Sequence, residues 1–303
     1  AVLETARGGL MRRGLAVTGA DAAIVTNVSD DHLGEWGIDD LLATAEAKLV
    51  VARGLRPDGV LVVNAGCAPL AEVAAPLQPL WFGYDPGPGR VAFHHGGWIV
   101  LDGQPLVRVD EVPITFGGAA RFNVENAIGA ALLAHVMGVN RVAIARALRA
   151  FQPTPEDNAG RMNVLDVGGV TAVVDFAHNP DGIRQIGPVV RGLPARRRAI
   201  VLGQAGDRRD EDVLALVDAV VELGFDHVIL KELPEHRRGR AVGEMPAILR
   251  RRLVERAFPE AEIEEVDDEL PAVDRALAWA APGDLVLLLT HERYDDVIRR
   301  LRG

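Results

Sequence analysis

Short Val-rich runs alternate with Ala- and Leu-rich stretches of helical periodicity, and that alternation limits the fold more than any other feature of the chain. DAAIVTNV (21–28) reads as a buried strand, GVLVVN (59–64) as a second and PLWFGYD (79–85) as a third. Asp39 to Arg53 reads as a helix, ended by Gly54 and Pro57. Strands flanked by turns and separated by helices predict βα units and a mainly parallel sheet. The opening AVLETA is also strand-like, with Glu4 near its end. Residues 89–118 differ, because Gly-Gly and Asp-Gly turn signals predict antiparallel hairpins there. Phe122–Met137 and Arg141–Phe151 then read as helices.

QPTPEDNAGR (152–161) breaks the periodicity and marks a domain boundary. The division expected is 1–155 and 156–303. Past the boundary, MNVLDVGGVTAVVDF reads as a hairpin turning at Gly168-Gly169. AIVLG (199–203), HVILKE (227–232), EIEEV (262–266) and DLVLLLT (284–290) read as strands with helices between them. The fold class is α/β throughout. The length of 303 residues suits about two domains of ordinary size.

Composition removes several classes of function. The formal net charge is −10. Such a chain lacks the basic surface that neutralises phosphates, so nucleic acid is not an expected partner. An anionic membrane surface is excluded on the same ground. No apolar run reaches the length of a membrane span. The single cysteine, Cys67, rules out an intrachain disulfide and a zinc ribbon. It fits a reducing compartment, and a cytoplasmic location is expected. There are 31 arginines and only two lysines, Lys48 and Lys231, a bias read as GC-rich codon usage. The chain opens at Ala1 in strand-like sequence, which is read as a fragment of a longer protein. Nothing sets the oligomeric state, and a homo-oligomer stays open.

Four segments carry candidate chemistry. TNVSDDHLG (26–34) follows a strand, and ligands gather at the carboxyl ends of strands in open α/β sheets. Asp30, Asp31 and His32 suit Mg²⁺ or phosphate, or an ordinary solvated loop. Glu4 offers a second strand-end group. Lys48 lies among Ala45, Ala47, Leu49 and Val50, so it is either a surface charge or a lysine placed to react or be modified. In VVDFAHNPDG (173–182), a hydrophobic strand runs into Asp175, then His178, with Pro180 at a helix start. Asp175 suits ribose hydroxyls and His178 a base or phosphate; a capped βα turn is the plainer alternative. LGQAGDRRDED (202–212) brings glycines and a helix start together, with Asp207 and Arg208 placed for an amino acid or phosphate. Asp210, Glu211 and Asp212 answer the helix dipole. No G-x-x-x-x-G-K-[ST] phosphate loop, G-x-S-x-G elbow or G-x-G-x-x-G fingerprint occurs.

LETARGG, TNVSDDHLG with GID after it, EAK, FNVENAIGA, GRMN, DFAHNPDG and GDRRDED stand in one order along the chain. That order resembles the Mur-ligase superfamily of ATP-dependent amide ligases, and within it the C-terminal, Mur-ligase-like part of the cyanophycin synthetase branch. The likeness runs from Leu3 to about Arg240. It implies a truncated Mur-ligase central ATPase domain followed by a C-terminal Rossmann-like α/β domain.

The resemblance also implies roles. Glu4 and His32 match magnesium ligands, with Asn27 in the same motif. Lys48 matches a lysine that many Mur ligases carry as a carbamate on that magnesium. Asn126 matches the asparagine at the adenine, and Arg161 the arginine at the phosphates. Asp175 matches the ribose-binding aspartate, and His178 lies beside the nucleotide. Asp207 and Arg208 match the G-D-R motif near the incoming substrate. Phe176 stands where Tyr is commoner. ATP and Mg²⁺ are the implied cofactors. The implied substrates are arginine and a poly-aspartate (cyanophycin) chain, joined through an acyl phosphate as a cleft between the domains closes. The family's phosphate loop and an upstream ATP-grasp domain do not occur in the chain, so the 303 residues alone are expected to be inactive. Another Mur-type ligase and a noncatalytic binding or assembly module of the same fold are the alternatives.

Overall fold

The computed structural model describes residues 1–29 and 37–303. The chain divides into two compact units, Ala1–Phe151 and Gln152–Gly303, each built on one six-stranded sheet.

In the first unit the strands are β1 (Ala20–Val25), β2 (Leu55–Asn64), β3 (Leu80–Phe82), β4 (Arg90–His95), β5 (Trp98–Leu101) and β6 (Gln104–Arg108). They lie in sequence order across the sheet. β1 to β4 are parallel, and β5 and β6 close the far side as antiparallel hairpins. The β5–β6 turn uses Asp102 at φ 49° and Gly103 at φ 70°, the positive pair that a tight hairpin needs. The helices are α1 (Arg7–Arg13), α2 (Leu41–Leu49), α3 (Ala68–Ala74), α4 (Arg121–Val136) and α5 (Arg141–Ala150). Neighbouring residues of β2 point to opposite faces. Val62 joins Phe82, Ile99, Val124, Ile128 and Leu132 under α4. Leu61 and Val63 join Ala45, Leu49, Leu70 and Ala74 under α2 and α3.

The second unit comprises β7 (Asn163–Val167), β8 (Val170–Asp175), β9 (Arg198–Leu202), β10 (His227–Lys231), β11 (Ile263–Val266) and β12 (Leu285–Leu289). Its helices are α6 (Pro180–Gly192), α7 (Asp210–Leu223), α8 (Glu244–Glu255), α9 (Glu269–Trp279) and α10 (Tyr294–Arg302). The strand order is β11-β10-β9-β12-β8-β7, with only β7 antiparallel. β12, the last strand, inserts between β9 and β8, so the chain changes winding direction there. Such switch points leave a crevice at the carboxyl ends of the strands. α9 and α10 cover the face formed by Val174, Val201, Ile229, Val286 and Leu288.

Two sequence expectations fail in detail. AVLETA is not a strand: residues 1–6 are exposed and belong to no sheet or helix, and α1 starts at Arg7. β-propensity makes a strand only where a partner supplies backbone hydrogen bonds, and the sheet ends at β1. Glu4 therefore ends no strand. The helix expected over 39–53 stops at Leu49 and tightens into a 3₁₀ turn over Val50–Gly54.

Gly129 shows how tightly α4 sits on its sheet. A Cβ there would lie 3.0 Å from Ile24 Cδ1 and 3.0 Å from Phe82 Cζ. Gly129→Val should cost about 1–3 kcal/mol by overpacking. Ala130→Val, on the exposed side, should cost under about 1 kcal/mol. Thermal melting of the two variants checks this; equal melting temperatures would refute the close contact.

Candidate functional site

In the first unit Asn27 and Lys48 meet where β1 ends. Asp40 caps α2, its Oδ1 accepting from Ala43 N at 2.7 Å, and this fixes where the helix begins. Two turns later Lys48 Nζ donates to the Asn27 carbonyl at 3.0 Å. A cleft of about 750 Å³ opens beside them, lined by Glu4, Thr26, Asn27, Ser29 and Lys48 among others. Glu4 and Lys48 thus share one cleft although Glu4 lies on no strand. His32, Asp30 and Asp31 fall outside the described residues.

Magnesium takes hard oxygen ligands. An ammonium at Lys48 repels a cation, whereas a carbamate there would offer oxygens to the cleft that the Glu4 carboxylate also lines. The described residues fit magnesium only with Lys48 modified. Among them no group of three His, Cys, Asp or Glu side chains is arranged to hold a metal.

Asn126 stands on the exposed side of α4, and its Nδ2 donates to Asn123 Oδ1 at 3.4 Å. Asn123 is buried and bonds the Ile114 carbonyl at 2.8 Å, holding α4 to the loop before it. Asn126 is not among the residues lining the Glu4–Lys48 cleft.

In the second unit, β8 runs into Asp175, only 5% exposed. Its Oδ2 accepts from Met162 N at 2.9 Å and its Oδ1 from Ala177 N at 2.7 Å. Burial pushes its carboxyl above the usual range, and the two amides pull it back in part. The turn-capping role foreseen as the plainer alternative is therefore physically present; a ribose would have to use the remaining lone pairs. Asn179 caps α6 through Gly182 N at 2.7 Å, with Pro180 in the first turn. Between them Phe176 is 39% exposed, with Arg161 5.5 Å above its ring and His178 edge-on at 5.3 Å. Arg161, Asp175 and His178 therefore come together around Phe176.

Asp207 and Arg208 lie on the loop after β9. Gln204 Nε2 donates to the His178 carbonyl at 2.7 Å and ties that loop to the Asp175–His178 segment. Asp207 pairs with Arg238. Arg240, which the sequence reading passed over, clamps the loop: Nε bonds Gly206 O at 2.9 Å, and Nη2 bonds Arg208 O at 2.9 Å and Asp210 at 2.6 Å. A Cβ at Gly206 would sit 1.9 Å from the Arg237 carbonyl, so only glycine permits this approach.

The sequence reading also missed Lys231, Glu269, His291 and Glu292. Lys231 and Glu269 pair inside the protein. Burial lowers the lysine below its usual range. Burial alone would raise Glu269, but the Lys231 ammonium and backbone amides outweigh it and hold it low. Glu292 Oε1 takes His236 Nδ1 at 2.7 Å. The available signal was chemical: a lysine closing the strand HVILK directly after three apolar residues, in a chain with two lysines.

His291 Nε2 meets the Ala177 carbonyl at 3.2 Å, while its Nδ1 is buried without a partner. Burial, reinforced by Lys231, holds this imidazole well below its usual range. The unfolded chain then takes up a proton before the folded one as pH falls. Stability is full above pH about 6.5 and declines below it, by up to about 1.4 kcal/mol per pH unit from this group. His291→Asn should flatten that part of the slope. Urea unfolding at pH 7.5, 6.5 and 5.5 measures it; parallel wild-type and variant curves would refute a neutral buried His291.

Residues 1–134 match the Mur ligase middle domain, and residues 160–290 the Mur ligase glutamate ligase domain. Cyanophycin synthetase of Trichormus variabilis is 35% identical over 305 residues, covering 95% of this chain and 34% of that protein. The chain thus spans about a third of the length of the curated relatives it matches most fully. UDP-N-acetylmuramoylalanine–D-glutamate ligase of Methylococcus capsulatus is 30% identical over 208 residues, 67% of this chain and 42% of that one. A crystal structure of MurF from Acinetobacter baumannii superposes with a TM-score of 0.67 at 20% identity, covering 93% of this chain and 60% of that one. A bifunctional folylpolyglutamate synthase/dihydrofolate synthase with Mn, AMPPNP and L-glutamate bound gives 0.66 at 20% identity, covering 94% and 62%. At these identities the structures share the fold with this chain. No helix among the described residues is long and apolar enough to cross a membrane.

Proposed function

The chain belongs to the Mur ligase family, and from that premise we propose that it is the Mur-ligase-like part of an ATP-dependent amide ligase of the cyanophycin synthetase kind. The 35% identity across 95% of the chain carries the reading. Glu4 and Lys48 lining one cleft beside Asn27 support it.

In this reading a side-chain carboxylate of a poly-aspartate backbone attacks the γ-phosphorus of ATP and ADP leaves. The α-amino group of arginine then attacks the acyl carbon. Phosphate departs with the former carboxylate oxygen, and the amine gives up a proton. Glu4, His32 and a carbamate on Lys48 would hold Mg²⁺, which supplies charge neutralisation on the phosphoryl group. Asn126 serves the adenine, Arg161 the phosphates, Asp175 the ribose, and His178 lies beside the nucleotide. Asp207 and Arg208, held by Arg238 and Arg240, face the incoming amino acid. The location that fits is the cytoplasm.

The test is an assay of the full-length protein with ATP, arginine and a short aspartate polymer. One ADP should appear per amide bond, and the 303-residue chain alone should form none. Lys48→Ala should lower kcat by about a hundredfold or more if the lysine is a modified ligand, with partial recovery in added formate or acetate. A Lys48→Ala protein with normal turnover would refute the role of Lys48. Full-length protein that leaves arginine unused while consuming another amine would overturn the substrate.

A further inference from the structure

Lys231 and Glu269 form an ion pair with side chains 0% and 1% exposed. Lys231 Nζ also donates to the Leu289 carbonyl. Glu269 Oε2 accepts His291 N at 2.8 Å, and Oε1 accepts Arg293 N at 2.9 Å and Glu292 N at 3.4 Å. The backbone from 289 to 293 therefore hangs on two side chains from β10 and α9. His291 passes this constraint onward. Its ring stands edge-on to Phe176 at 5.4 Å, and Nε2 meets the Ala177 carbonyl at 3.2 Å. A carbonyl only accepts, so Nε2 carries the proton. Phe176 and Ala177 are the two residues between Asp175 and His178.

We propose that the Lys231–Glu269 pair is a positioning device for the Asp175–His178 segment, acting through the backbone of residues 289–293 and the ring of His291. It rests on the preceding reading of that segment as the nucleotide's neighbour. Stability alone does not call for charge here, because an apolar pair of similar volume is often as stable. An apolar pair cannot, however, accept the amides of His291 and Arg293. The backbone just after β9 closes on the lysine's stem: a Cβ at Gly203 would lie 2.7 Å from Lys231 Cγ and 3.0 Å from its Cε.

The experiment compares full-length wild type, Lys231→Met and Lys231→Met/Glu269→Leu. The single variant strands a buried carboxylate and lowers the melting temperature. The double variant removes the stranded charge but leaves the amides of His291 and Arg293 without their acceptor, so it should recover only part of that loss. Its KM for ATP should nevertheless stay raised about tenfold with a smaller change in kcat, because the segment is displaced while the chemistry is kept. Amide exchange at His291 and Arg293 should accelerate in both variants. A double variant with the wild-type KM for ATP, or with unchanged exchange at those amides, would overturn the proposal. Should the double variant not fold, Lys231→Gln, which keeps a donor for Leu289 without the charge, reads the same KM. A wild type with no ATP-dependent turnover removes the ligase reading and this proposal together. That result is distinct from an active wild type beside an indifferent variant.

Discussion

Parallel pairing of strands is the constraint on which the rest of this structure depends. Parallel neighbours need a crossover connection, so every strand in the run points the same way and every following loop opens at the same edge. In the first unit that edge carries Asn27 after β1 and the buried Asn64 at the end of β2. In the second it carries Asp175, Gln204, Lys231 and Thr290, at the ends of β8, β9, β10 and β12. Residues far apart in sequence become neighbours at an edge whose position the sheet fixes.

Several polar groups at that edge are buried and tied mostly to backbone, although Asn27 is exposed and the buried Thr290 Oγ1 has no hydrogen-bond partner. Asp175 accepts two amides, Gln204 bonds a carbonyl and an amide, and Glu232 accepts Gly243 N at 2.6 Å. Hydrogen bonds to charged acceptors are worth about 1.5–3 kcal/mol each, and a buried partner left unpaired costs about 1–3 kcal/mol. These side chains therefore hold the loops that follow the strands. The exposed groups around them, Arg161 and Phe176 above all, are what such a framework presents to a ligand.

Much of this was legible in the sequence because it is local. Alternation of apolar runs and helices located the strands after residue 20 within a few residues. The Gly168-Gly169 turn was marked by residue chemistry, as was the irregular stretch 152–161, although the units divide at Phe151/Gln152 and not at the expected 155/156. AVLETA misled because strand formation depends on a partner strand and not on propensity. What was legible of the candidate residues was their local placement, Asp175 at the end of a strand and Lys48 on the helix after β1. Contacts that cross long sequence separations were not legible. Glu269 is a helix-start residue by its surroundings, and only the fold brings it to Lys231; Arg240 likewise meets Gly206 only once β9 and β10 are neighbours.

The proposed reaction joins a carboxylate to an amine through an acyl phosphate in the full-length protein. The direct measurement uses an aspartate polymer labelled with oxygen-18 in its side-chain carboxylates, full-length protein, ATP and arginine. Mass analysis of the released phosphate should find one labelled oxygen per amide bond formed, with ADP as the other product. Unlabelled phosphate, or AMP in place of ADP, would contradict it.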